Sequence, residues 1–167
     1  MTLFVKENGS KFLLWSLLVV ILDQITKYLI VDSIPLNEIG YRVTPFFSII
    51  HVHNEGAAFS FLAQSGGWQR YFFMFIAIAI SSALLIALLR TPKAHKWTCL
   101  GIALVIGGAI GNLIDRVALG HVIDFLLFYL KTDSFFYAYP AFNVADIAVC
   151  CGAALLVIIG FFGKEKK

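Results

Sequence analysis

The stretch FNVADIAVCCGAALLVIIGFF, residues 142–162, decides the fold. From Val144 onward it is long and apolar enough to cross a bilayer core, which takes about 20 helical residues. Yet Asn143 and Asp146 stand at its start. A carboxylate beside lipid is costly and is a functional-site hypothesis by default. A local account competes with that one. Asn143 can cap the helix, and Asp146, three residues on, is favoured by the helix dipole.

Three more segments have the same character, over residues 12–31, 71–89 and 97–114. The chain has 167 residues, of which 60% are hydrophobic and only 14% charged. A soluble domain carries about a quarter charged residues, so the composition points to a single integral-membrane domain spanning residues 1–167. The net charge of +3 is too small to indicate nucleic-acid binding. The first apolar run is too long for a signal-peptide core, lacks a small-residue cleavage pattern and contains Asp23, Gln24 and Lys27, so it reads as a retained helix.

Basic residues set the expected orientation. Lys6 and Lys11, then Arg90, Lys93 and Lys96, then Lys164, Lys166 and Lys167 flank the spans on one side. That side reads as cytoplasmic, with both termini inside and two outer loops over residues 32–70 and 116–142. The first outer loop alternates weakly around Tyr41, Val43, Phe47 and Ile49, with Pro45 and Gly56 as breaks, which predicts a small sheet. In the second, VIDFLLFYL is too short to span and suits a segment lying in the membrane interface. The expected architecture is an all-α membrane protein of four transmembrane helices, with a small extracytoplasmic β-sheet and a short interfacial helix. Cys99, Cys150 and Cys151 lie in apolar runs and read as small apolar residues.

Polar residues gather near the outer ends of the spans. Asp23 and Lys27 are four apart and share a helix face. Asn112, Asp115 and Arg116 close the third span, Asp124 follows, and Asn143 and Asp146 open the fourth. Taken singly, these residues have plainer roles: a structural ion pair, a polar boundary, a helix cap. Gly107 and Gly111, with Gly108 between them, let helices approach closely. His51, His53 and Glu55 would share a strand face, but a metal site needs more ligands in defined geometry, and no metal is expected. Two readings remain open at this level. One is an ion- or proton-coupled transporter using Asp23, Asp124 and Asp146 as a relay. The other is a membrane scaffold built on the glycine-rich helix.

Five blocks in order then carry a resemblance: DQITK at Asp23–Lys27, NEGAAFS at Asn54–Ser60, GGAIGNLIDR at Gly107–Arg116, VIDF at Val122–Phe125 and FNVAD at Phe142–Asp146. Together they resemble the lipoprotein signal peptidases, or signal peptidase II. The resemblance implies an aspartyl endopeptidase of the bacterial cytoplasmic (inner) membrane, with its active site near the outer leaflet. It would cut diacylglyceryl-modified prolipoproteins before the lipidated cysteine. It implies catalytic Asp124 and Asp146, supported by Asp23, Lys27, Asn54, Gly108, Asn112, Asp115, Arg116 and Asn143. It further implies inhibition by globomycin-type compounds and no need for a metal. A monomer in contact with membrane lipid, with no cofactor and no nucleic-acid partner, is the expectation.

Overall fold

The computed structural model describes residues 7–56 and 68–162. Residues 57–60 of the NEGAAFS block, and the basic residues Lys6, Lys164, Lys166 and Lys167, lie outside the described residues. Four helices are long and apolar enough to cross a membrane. They are α1 (Leu13–Ser33), α2 (Trp68–Arg90), α3 (Lys96–Ala118) and α4 (Val144–Phe162). A short 3-10 turn, Gly9–Phe12, leads into α1.

α3 is the central helix and packs against the other three. Its glycines make that possible. A Cβ on Gly107 would lie 2.8 Å from the Ser16 carbonyl oxygen of α1. A Cβ on Gly108 would run into the Ala145 carbonyl oxygen of α4. Between lipid-exposed helices, where apolar side chains gain little from leaving lipid, such close backbone packing is a main source of association. Leu88, Cys99, Ile102 and Ile106 fill the core between α2 and α3. Cys150 and Cys151 are exposed on α4.

The small sheet expected from the first outer loop is present, but it also takes in the second, so the description as all-α needs correction. Four antiparallel strands form one sheet in the order β1 (Ile39–Thr44), β2 (Phe47–Asn54), β3 (Val122–Lys131) and β4 (Phe136–Ala138). The run VIDFLLFYL is strand β3, not an interfacial helix. Its residues are mostly apolar or aromatic, as suits a pleated and half-buried surface. It pairs with β2 from Phe47↔Phe128 to Asn54↔Val122, which satisfies a backbone that an isolated segment would leave to water. Ile123 and Phe125 pack on Ile30 of α1 and on Ile34, just past its end. Alternation along the strand sends Asp124 to the opposite face.

Two further details fix the site. Between Ile49↔Leu126 and Val52↔Asp124, β2 spends one residue more than β3, forming a bulge. Beside it, the Phe142 carbonyl accepts from the Phe125 and Leu126 N–H groups at 3.1 and 2.9 Å, and the Phe142 N–H donates to the Leu126 carbonyl at 3.1 Å. This ties the residue before Asn143 to the strand carrying Asp124. The other detail is the length of α3, which runs to Ala118 rather than stopping at 114, so Asp115 and Arg116 lie within the helix.

Candidate active site

Asn143 and Asp146 form a capping box at the start of α4. The Asp146 N–H donates to Asn143 Oδ1 at 2.9 Å, and the Asn143 N–H donates to Asp146 Oδ2 at 3.2 Å. The local explanation for these residues is therefore correct. It is also incomplete, because each side chain has another atom engaged elsewhere. Asn143 Nδ2 donates to Asp124 Oδ1 at 2.7 Å, and Asn112 Nδ2 donates to Asp146 Oδ1 at 2.7 Å. One asparagine thus holds both candidate catalytic carboxylates.

Asp124 receives a second donor, Asn54 Nδ2, on Oδ2 at 2.9 Å. Asp124 is only 2% exposed. Burial pushes its carboxyl up to about 7, against the opposing donation from Asn54. The negative charge of Asp146 adds to the rise, while Asn143 and the cation of Lys27 pull it down.

Behind this pair lies a fully buried ionic cluster. Lys27 Nζ is 2.8 Å from Asp23 Oδ2 and 2.8 Å from Asp115 Oδ2. Buried charges destabilise a fold unless their remaining hydrogen-bonding positions are filled, and here they are. Asp23 Oδ1 accepts from the Ala145 N–H at 2.9 Å, and Asp115 Oδ2 accepts from the Ile123 N–H at 3.1 Å. Gln24 Nε2 donates to Asp115 Oδ1 at 2.9 Å and to Asp23 Oδ2 at 3.2 Å. Lys27 also donates to Asn112 Oδ1 at 3.0 Å. A continuous network runs from Asn54 through Asp124, Asn143, Asp146 and Asn112 to Lys27, Asp23 and Asp115.

Arg116 touches that network only through a backbone carbonyl. Its Nη1 donates to the Asn112 carbonyl at 3.3 Å, and its guanidinium lies 5.4 Å from the centre of the Phe73 ring. Gly108 contributes no group to the site; its lack of a side chain lets α3 meet α4 at Ala145, next to Asp146. Sequence reasoning gives Gln24 no role in the site, although its place beside Asp23 in an apolar helix is the available signal.

A cleft of about 340 Å³ opens over Asp124, lined by Val52, His53, Asn54, Glu55, Pro140 and Ala141. A larger cavity, about 610 Å³, lies around Trp68, Arg70 and His121 and holds neither carboxylate. His53 stacks on His121 with ring centres 3.6 Å apart, and His51 Nδ1 pairs with the Ile34 carbonyl at 2.7 Å. Among the described residues, no three His, Cys, Asp or Glu side chains converge as ligands for a metal ion.

Comparison with known proteins adds to this geometry. A family model described as Signal peptidase (SPase) II matches residues 15–162. The Lipoprotein signal peptidase of Aeromonas hydrophila subsp. hydrophila is 44% identical over 96% of this chain and 94% of its own. That of Pseudoalteromonas translucida is 46% identical over 100% and 98%. A solved structure of a bacterial membrane enzyme is 33% identical, with a TM-score of 0.76 over 98% of this chain and 97% of that one.

Proposed function

The chain belongs to the signal peptidase II family, and from that premise we propose an intramembrane aspartyl endopeptidase that removes the signal peptide from diacylglyceryl-modified prolipoproteins, cutting before the lipidated cysteine. One observation carries the mechanistic part: Asn143 donates to a carboxylate oxygen of Asp124 and of Asp146, holding both at the start of α4.

Two nearby carboxyls resist joint ionisation and share one proton. The ionised member takes a proton from water as the water oxygen attacks the scissile carbonyl carbon. The protonated member gives its proton to the carbonyl oxygen, forming a gem-diol. When the C–N bond breaks, the amine leaves with a proton from the pair, and one water has been consumed. The pair titrates as a unit.

A relay for transport would need polar groups through the thickness of the bundle. The carboxylates Asp23, Asp115 and Asp146 of α1, α3 and α4, with Lys27 among them, instead gather toward the sheet end, which favours the hydrolytic reading. A site there meets an apolar signal-peptide helix and its lipid without drawing either from the bilayer. The flank charges put this end outside and the Arg90–Lys96 connection in the cytoplasm.

Incubation of purified protein with a diacylglyceryl-modified prolipoprotein should give a shortened product, whereas the unmodified precursor should persist. Equal cleavage of both would remove the lipid from the recognition scheme. On intact spheroplasts, a single cysteine replacing Asp133 should react with an impermeant thiol reagent; protection until lysis would invert the orientation.

The turnover–pH profile should have a limb near neutrality, since Asp124 is held up at about 7. Asn54→Ala removes a donor that favours the charged form, so the carboxyl should rise further and the limb should move to higher pH. A limb that stays in place would mean that another group controls it.

A further inference from the structure

We propose that Lys27 is a positioning residue for both catalytic carboxylates, acting through two backbone clamps and one amide. The proposal rests on the reading of Asp124 and Asp146 as the catalytic pair. An ammonium has three N–H donors. Those of Lys27 meet Asp23 Oδ2 at 2.8 Å, Asp115 Oδ2 at 2.8 Å and Asn112 Oδ1 at 3.0 Å.

The two carboxylates that Lys27 gathers do corresponding jobs. Asp115 binds the N–H of Ile123, the residue immediately before Asp124. Asp23 binds the N–H of Ala145, the residue immediately before Asp146. One buried cation on α1 therefore fixes the backbone beside each member of the pair, on β3 and on α4. The third contact orients a side chain. An asparagine amide can be turned either way by its surroundings. Lys27 and Asn143 Nδ2, at 3.0 and 3.1 Å, both donate to Asn112 Oδ1, which leaves Asn112 Nδ2 to face Asp146 Oδ1. Gly111 keeps space for the clamp, since a Cβ there would lie 2.7 Å from Asp23 Oδ2.

A merely structural ion pair would make a different prediction. Lys27→Met leaves two carboxylates facing each other and disturbs the fold for that reason alone. The double variant Lys27→Met/Asp115→Asn restores the net charge of the three positions, and the amide oxygen it places at position 115 can still accept from the Ile123 N–H. It still lacks the donor that orients Asn112.

The test measures kcat, KM, turnover against pH and the unfolding midpoint of both variants on a diacylglyceryl-modified prolipoprotein, with Asp124→Asn as reference. In Lys27→Met, kcat should fall about 100-fold while KM stays within about threefold, as for lost positioning of reacting groups. Its pH limb should rise, because the charged groups acting on Asp124 are Asp146 of α4, Lys27 of α1 and Arg116 of α3, and a cation has been lost. The charge-matched variant should regain the wild-type unfolding midpoint but not its kcat. Recovery of wild-type kcat in that variant, or its failure to fold, would make Lys27 structural and overturn the proposal. An active Asp124→Asn enzyme would instead remove the catalytic pair itself, whatever Lys27 does.

Discussion

Asp146→Asn should lower turnover of a diacylglyceryl-modified prolipoprotein by roughly 10⁴-fold or more, and Asp124→Asn should do the same, as expected for members of one acid–base unit. Asparagine is nearly isosteric with aspartate. At position 146 its oxygen can still accept from the Asn143 N–H and preserve part of the capping box, with its NH₂ group then turned toward Asn112 Nδ2. If capping were the whole role, the substitution would cost only the charge–dipole interaction, about 0.3–1 kcal/mol, and turnover would survive. At position 124 an amide would meet two amide donors, Asn54 Nδ2 and Asn143 Nδ2, and its own NH₂ group would be turned toward one of them. Some loss of stability is therefore expected there, and the unfolding midpoint should be read beside the rate. Substantial turnover in either folded variant would remove that residue from the pair.

Gly108→Leu should abolish assembly of the active protein, whereas Gly160→Leu should change little. Both glycines lie in helices read as spanning, and both substitutions add the same side chain. A Cβ at 108 already collides with the Ala145 carbonyl oxygen and would lie 2.7 Å from a Val149 methyl. Backbone on the facing helix cannot step aside as a side-chain tip can, so α3 and α4 must separate. Overpacking of this kind costs about 1–3 kcal/mol even for a few added methylenes. The displacement falls at Ala145, whose N–H is clamped by Asp23 and whose neighbour is Asp146, so activity should fail with the packing. Nothing lies within 4 Å of a Cβ at Gly160. Unfolding midpoint and cleavage rate of the two variants make the comparison; equal damage from both would mean that the close α3–α4 approach is not what sustains the site.

The helices are legible in the sequence because length and hydropathy define a span, and the fourth falls at its expected limits. The third extends four residues beyond its expected end. Asp115 and Arg116 look like a polar boundary in one dimension, whereas the fold supplies Lys27 and Gln24 to Asp115 and lets the helix continue. The nine residues of VIDFLLFYL are ambiguous for a different reason. A short apolar run has no periodicity that separates strand from helix. Its partner, β2, lies some seventy residues earlier and becomes visible only on folding. The pairing of Asp23 with Lys27 follows from their spacing. The convergence of Asp115 and Asn112 on the same ammonium does not, since no local rule brings α1 and α3 together at that point. The sequence blocks contain nearly every residue of the network but not its wiring: which carboxylate clamps which backbone, and which asparagine joins the pair.

The central claim is that Asp124 and Asp146 act as one unit, and the double variant Asp124→Asn/Asp146→Asn tests it most directly. Turnover of the double variant should lie within about tenfold of either single variant, because removing a second member of a disabled unit costs little more. Losses that multiply, so that the double variant is slower than each single by the full factor of the other, would contradict a shared catalytic pair.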